Sequence, residues 1–475
     1  MGITELLTQG KFCLPEIMLL LCGLAVLAIE LTGAKHKNTI AAWVCTGAFA
    51  ATGVLLALQI KSNLTQSLFY GAYFIMPLLT WGKLIILVAG LLTVVMSLRY
   101  VAIHKLDLAE YLYLLSASML GMFILISADS LILLFLGLEL LSFPIYILTG
   151  MKTSNERSCE ASLKYIVMGS FSSALFVFGI ALIYGATGAT QVSALAGSLA
   201  SRAITPLLAL GLVFVITGFG FKLSLAPFHA WTPDVYEGAP MPITAFMSVA
   251  IKAAAFVVFF RTFSTLTLPI FLNALAVIAL LSIIVGNFYG LTQTNFKRLI
   301  AYSSIAHAGY ILLAFLDTNR AQSNYAMLFY VLNYTFMNLA ALFVLIYLTT
   351  REKYVENISD LQGVGWQRPL LGLTMTVAML SLAGLPPLPG FLAKFYIFKS
   401  ALQGGYIVTV VIALIATLIS LYYYVRVLAV MYMEDSCALS EQKQFSLPAA
   451  ITIGLTTLII CYIALFPNHI LSVIR

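Results

Sequence analysis

The chain has 475 residues, 61% of them hydrophobic and only 9% charged, with a mean hydropathy of +1.01. Soluble globular chains carry about 25% charged residues, so a soluble enzyme, a disordered protein and a disulfide-built secreted domain are excluded. The formal net charge of +7 comes from Lys and Arg scattered between apolar blocks, the pattern of loop charges that set membrane topology and not of a nucleic-acid patch.

A membrane-crossing helix needs about 20 apolar residues. Read against their polar breaks, the apolar runs predict an all-α polytopic membrane protein of about fourteen transmembrane helices, near 13–33, 38–60, 77–98, 108–127, 129–150, 160–186, 205–230, 240–262, 267–291, 297–316, 324–350, 369–400, 405–433 and 446–470. Glu5 and Lys11 precede the first run, which lacks the basic start and cleavage site of a signal peptide. The six cysteines, Cys13, Cys22, Cys45, Cys159, Cys437 and Cys461, form no C-x-x-C pair and read as small apolar fillers. Connections are short, and no extramembrane domain of any size is expected. Loops after odd-numbered spans hold about twice as many Lys and Arg residues as the opposite side, Lys35, Arg99, Lys152, Lys297, Arg298 and Arg351 among them. That bias places those loops in the cytoplasm and both termini on the periplasmic side.

Two spans are long and interrupted. The seventh reads GFGFKLSLAPFHAWTPDVYEGAP and the twelfth SLAGLPPLPGFLAKFYIFK. Proline removes a helical hydrogen bond and clashes with the preceding turn. Broken backbone at membrane depth is tolerated only where it is buried in protein or lines a wet cavity. Spans 4–8 and 9–13 then form two five-helix repeats with the broken helix fourth in each. Because five is odd, the second repeat is inverted, the arrangement of transporters. The expected organisation is 1–107 for three N-terminal helices, 108–262 and 263–433 for the repeats, and 434–475 for a last helix.

Seven cations lie in or near spans: Lys83, Lys164, Lys222, Lys252, Lys394, Lys399 and Arg426. A charge at mid-helix costs at least about 2.5–3.5 kcal/mol on insertion scales, so several together need a reason. Glu139, in FLGLELLSF, is the most central anion, with Glu30 and Glu110 read as the other acidic residues inside apolar blocks. Lys164 follows Glu160 at i,i+4 spacing, which also suits a simple surface pair. Lys222 sits at the first break, where freed carbonyls and water can solvate it. Lys252 has apolar neighbours on every face, and Lys394 follows the second break. Lys399 and Arg426 lie nearer helix ends and are expected to snorkel. His229 comes seven residues after Lys222, on the same face if that helix is continuous, and His307 lies well inside the tenth span. Glu, Lys and His all exchange protons, and such groups in a row across the membrane make a proton wire. No phosphate-binding loop and no His pair at metal or haem spacing stands out.

The stretches FLGLELLSFPIYIL, SCEASLKYIVMGSFSSALFVFG, GFKLSLAPFHAWTPDVYEGAPMPITAFMSVAIKAAAF, GNFYGLTQTNFKRLIAYSSIAHAGYILLA and MLSLAGLPPLPGFLAKFYIF resemble the antiporter-like subunits of respiratory complex I, above all the subunit N family of bacterial NADH–quinone oxidoreductase. The resemblance runs from about the third span to the thirteenth. It implies the fourteen-helix fold with inverted repeats and a role in proton translocation, coupled to NADH oxidation and quinone reduction in other subunits. NADH, FMN, iron–sulfur clusters and quinone would belong to those subunits, with no cofactor in this chain. The implied partners are subunits M, K, J and A, in the bacterial inner membrane. Carried over by motif, Glu139 corresponds to the family's fifth-helix glutamate and Lys222 to the lysine it pairs with. Lys252 matches the central eighth-helix lysine and Lys394 the twelfth-helix residue of the distal half-channel. His229 and His307 fall at positions where relatives have histidines in or near the polar axis, and Lys164 at that of a sixth-helix lysine. Lysine at 394 argues against subunit M, which has glutamate there, and an end after fourteen spans argues against subunit L with its lateral helix. The alternative is a subunit of a Mrp-type cation/proton antiporter, which shares the fold and the buried lysines.

Overall fold

The computed structural model describes residues 9–32, 36–194, 205–263, 266–350, 354–433 and 447–474. Among the described residues, thirteen helices are long and apolar enough to cross a membrane. In chain order, helix α1 is Leu14–Leu31, α2 Lys37–Lys61, α3 Pro77–Ile103, α4 Leu108–Ser127, α5 Leu131–Thr149 and α6 Glu156–Thr187. They are followed by α7 Pro206–Leu223, the short α8 Trp231–Gly238, α9 Met241–Thr262, α10 Pro269–Leu291, α11 Phe296–Leu313 and α12 Arg320–Leu348. Next come α13 Pro369–Ala383, α14 Pro389–Gln403, α15 Ile407–Met433, α16 Leu447–Leu465 and a short α17, Pro467–Ile474.

Local chemistry sets several boundaries. Asp107 caps α4 by accepting from Glu110 N at 2.9 Å, and Asn155 caps α6 by accepting from Arg157 N at 3.0 Å. Asn295 does the same for α11, from Arg298 N at 3.2 Å. Pro269, Pro369 and Pro389 each open a helix at its first turn, where the missing N–H is no loss.

The thirteen long helices and the fourteen expected spans are reconciled by the twelfth, which is two helices. α13 and α14 have 15 residues each, about 22 Å, too short to cross the roughly 30 Å hydrocarbon core. Gly384 ends α13 with a φ of +87° and an N–H that donates to Leu380 O and Ser381 O. The seventh span breaks as expected too: α7 stops at Leu223, Ser224 takes a φ of +59°, and α8 begins only at Trp231. One element was not visible in the sequence. Between α2 and α3 the chain forms a hairpin, β1 Gln66–Leu68 against β2 Tyr73–Ile75, with Gln66 opposite Ile75 and Leu68 opposite Tyr73.

The chain divides into two compact units: 1–94 with 106–222 and 250–266, and 95–105 with 223–249 and 267–475. In the first unit α4 and α5 pack backbone to backbone. A Cβ at Gly121 would lie 2.3 Å from Leu141 N, and one at Gly137 would lie 2.7 Å from Leu125 N. Small residues permit this approach where lipid supplies no hydrophobic drive between helices. The second unit uses the same device between α10 and α11: a Cβ at Gly286 would lie 2.5 Å from Ala306 N, and one at Gly309 2.6 Å from Ala279 O. The outward stripe of α5 is apolar, with Ile132, Leu136, Leu140, Phe143 and Ile147 exposed, while Leu138, Leu141, Ser142, Ile145 and Tyr146 are buried. An apolar outer stripe is what a helix facing lipid requires.

Candidate functional site

In the first unit, α5 carries Glu139, Ser142 and Tyr146 at i, i+3 and i+7, one face of a helix. Lys222, one residue before the end of α7, reaches this face. Its Nζ donates to Ser142 Oγ at 2.7 Å and to Tyr146 OH at 3.3 Å, and lies 5.3 Å from the centroid of the Tyr146 ring and 5.7 Å from that of Tyr165. The Ser142 hydroxyl donates to Leu138 O, leaving its lone pairs for the lysine. Glu139 Oε1 is buried without a hydrogen-bond partner. Among the described residues, then, no ion pair joins Lys222 and Glu139: the ammonium stops at hydroxyls one and two turns along the face from the carboxylate. The sequence expected freed carbonyls around Lys222, but hydroxyls and aromatic faces hold it.

Tyr146 is itself tightly placed. Its ring meets that of Tyr165 edge-on at 4.7 Å, and Gly169 on α6 lies so close that a Cβ there would fall 2.1 Å from the phenol oxygen. Lys252 is buried and opens the regular part of α9 directly after a π-helical stretch, Met247–Ile251. Such wide turns inside α-helices concentrate at functional sites. Lys164 is different. It pairs with Glu160 at 2.7 Å with side chains 40% and 62% exposed, so it lies at the rim of the unit and not in its interior.

In the second unit, Lys394 lies in the second turn of α14 and turns back onto the end of α13. Its Nζ donates to Leu382 O at 3.1 Å and Ala383 O at 3.0 Å, carbonyls left free where α13 stops, and lies 5.0 Å from the Tyr310 ring centroid. Freed carbonyls at a helix break thus solvate this lysine. His307 on α11 is hydrogen-bonded through Nδ1 to Tyr330 OH at 2.7 Å and through Nε2 to Tyr424 OH at 3.1 Å. Tyr424 OH also bonds Ser303 Oγ at 2.5 Å. The Tyr310 ring, 6.0 Å from that of His307, is the same ring that Lys394 faces, and its hydroxyl bonds Asn287 at 3.2 Å and Thr417 at 3.0 Å. Further along α12, Asn333 Oδ1 and both amide atoms of Asn338 are buried without a hydrogen-bond partner. His229 is half-buried in the turn between α7 and α8, with Nδ1 unpartnered. Because the helix ends at Leu223, its seven-residue spacing from Lys222 fixes no common face.

Several charged contacts escaped the sequence reading. Glu16, in the first turn of α1, was not counted among the acidic residues of apolar blocks, yet it is buried and meets the buried Lys83 at 2.5 Å. Lys83 also donates to Tyr73 OH at 2.9 Å, and burial together with the Glu16 charge pushes the Tyr73 phenol well above its usual value. Arg261 pairs with Asp129 at 2.8 Å. Lys297, counted as a loop cation, is buried in the first turn of α11 between Glu356 at 2.9 Å and Ala239 O at 3.2 Å. Its neighbour Arg298 bridges Asp234 at 2.8 Å and Glu237 at 2.9 Å. No group of three or more His, Cys, Asp or Glu able to hold a metal occurs among the described residues.

Residues 128–420 match the family described as NADH:quinone oxidoreductase/Mrp antiporter, TM. NADH-quinone oxidoreductase subunit N of Granulibacter bethesdensis is 40% identical over 430 residues, 89% of each chain. A chain of respiratory complex I from Thermus thermophilus superposes with a TM-score of 0.83 and 32% identity, covering 96% of this chain and 98% of that one. A chain of the Mrp complex from Dietzia sp. shares the fold, with a TM-score of 0.84 at 17% identity over 97% of this chain and 96% of that one.

Proposed function

We propose that this chain, which belongs to the NADH-quinone oxidoreductase subunit N family, is a membrane-arm subunit that carries protons through Glu139, Lys164, Lys222, His229, Lys252, His307 and Lys394. It has no redox step of its own. NADH oxidation and quinone reduction, with FMN, iron–sulfur clusters and quinone, take place in other subunits. In this reading the chain sits in the bacterial inner membrane with both termini on the periplasmic side. It adjoins subunit M and the small subunits K, J and A, and its two repeats run over 108–262 and 263–433.

The observation that carries the proposal is how the lysines are held. Lys222 donates to hydroxyls and Lys394 to backbone carbonyls, so neither is locked to a carboxylate. A lysine so placed can lose its proton without abandoning a buried anion, whereas breaking a buried ion pair is costly by about 3–5 kcal/mol. The two lysines are therefore exchangeable stations. Unpartnered Glu139 Oε1, His229 Nδ1, Asn333 Oδ1 and the Asn338 amide are places for water to link one station to the next. A proton arriving at Glu139 removes the negative charge near Lys222 and favours release from the lysine, with no large motion required. Lys164, at the rim, would be the station nearest a neighbouring subunit.

The assembled complex, reconstituted in proteoliposomes, tests this by NADH-driven acidification of the lumen. Loss of pumping in Glu139→Gln and Lys252→Ala complexes that still assemble is the expected result. Full pumping in both would remove the relay. The Mrp-type alternative has the fold in its favour; sodium transport by the purified chain without its redox partners would support it instead.

A further inference from the structure

The first turns of α15 and the last turns of α14 enclose a crevice of about 500 Å³ that the relay does not use. Phe395, Phe398, Lys399 and Leu402 line it from α14, at i, i+3, i+4 and i+7, and Val410 and Leu414, one turn apart, line it from α15. The polar end of both helices is close by. Gln403 is the last residue of α14, and Tyr406 OH, just before α15, donates to Asn273 Oδ1 at 2.8 Å. These residues mark where the helices leave the hydrocarbon. Apart from Lys399 and Gln403 the lining is apolar: Phe395, Phe398, Leu402, Val410 and Leu414. A slot of this form has an apolar floor, a mouth at headgroup depth and a lysine beside the mouth.

Charge selects the occupant. Lys83, Lys164, Lys297, Arg261 and Arg298 each meet a carboxylate, and the buried Lys394 is satisfied by carbonyls. Lys399 is exposed, and among the described residues no hydrogen bond or ion pair engages its ammonium. A lysine stem can lie along an apolar wall while its charge reaches the interface. We propose that this crevice binds an anionic phospholipid, with the phosphate on Lys399 Nζ and the Gln403 amide and one acyl chain between the two phenylalanines of α14 and Val410 and Leu414 of α15. A basic group at the interface favours anionic over zwitterionic lipid, and an acyl chain fills a slot that offers a protein side chain no polar partner.

The assembled complex, reconstituted into vesicles containing photoactivatable phosphatidylglycerol, provides the test. Crosslinks should concentrate on peptides covering 391–414 and fall about fivefold in Lys399→Ala, the factor expected for one lysine near the surface. Lys399→Arg should retain them, and photoactivatable phosphatidylcholine should label the same peptides weakly. Leu414→Trp, which fills the slot and leaves the charge, should reduce labelling as Lys399→Ala does, so a failure of either variant to assemble leaves the other to decide. Equal labelling in Lys399→Ala and wild type, equal labelling by the two lipids, or protection of these peptides by a neighbouring subunit overturns the proposal. Because Lys399 takes no part in the relay, proton pumping by the variants separates loss of this site from failure of the functional assignment.

Discussion

Lys222 donates its ammonium to Ser142 at 2.7 Å, one helical turn from Glu139 on the same face of α5. The lysine is thus close enough to respond to the carboxylate and is held by a neutral group. Ser142→Ala would leave it with the Tyr146 hydroxyl alone. Hydrogen bonds to charged groups are worth about 1.5–3 kcal/mol, so proton pumping should fall by roughly ten- to a hundredfold. NADH-driven pumping in proteoliposomes measures this, with Ser142→Thr, which keeps a hydroxyl, expected near wild type.

At the second break the informative change is conservative. Lys394→Arg preserves the positive charge and the donors facing Leu382 O and Ala383 O, but arginine hardly ever gives up its proton. Pumping should drop as far as in Lys394→Ala. Turnover equal to wild type in Lys394→Arg would mean that release of a proton at this position is not part of the mechanism.

Gly169 makes room for the Tyr146 phenol, since a Cβ there would lie 2.1 Å from the oxygen. Gly169→Ala should displace the ring, remove one of the two hydroxyls serving Lys222 and destabilise the subunit by about 1–3 kcal/mol through overpacking. Tyr146→Phe removes the clashing oxygen. With the ring carbon still 2.8 Å from the new Cβ, the double variant should regain only part of its thermal stability in the purified complex and not full pumping; recovery of neither would show that the oxygen clash is not the cause.

The pair of Glu16 and Lys83 has a different signature. Both are buried, so Glu16→Gln strands a cation and should cost about 3–5 kcal/mol, while replacing both by Met should come close to neutral. Thermal unfolding and assembly yield of the two variants provide the comparison. A double variant as unstable as the single one would assign the pair a role beyond charge neutralisation.

The sequence discloses the spans because hydropathy tracks lipid contact, and it discloses the breaks because Gly384, Pro227 and Pro389 act locally. It discloses Lys222, Lys252 and Lys394 because a cation flanked by apolar residues is conspicuous. Other features are written in no local pattern. Glu16 finds Lys83 across 67 positions, a separation no local pattern shows. Tyr310, Tyr330 and Tyr424 surround His307 yet score as apolar, so the polar interior of the second unit is hidden in its own hydrophobicity. The π-helical turn before Lys252 has no recognisable signature in the residues MSVAI. Lys164 marks the opposite limit: its spacing from Glu160 suited a rim pair, and the rim is where the structure places it.

The glycine contacts reach further than packing. Gly137 sits two residues before Glu139 and Gly309 two residues after His307, each pressed against the main chain of the adjoining helix. Sliding or rotating either helix by even a fraction of a turn would drive a side chain into that seam. If Glu139 and His307 carry protons as proposed, these seams favour torsions of the side chains over a stationary scaffold, much as a points lever moves while the rails stay bolted down.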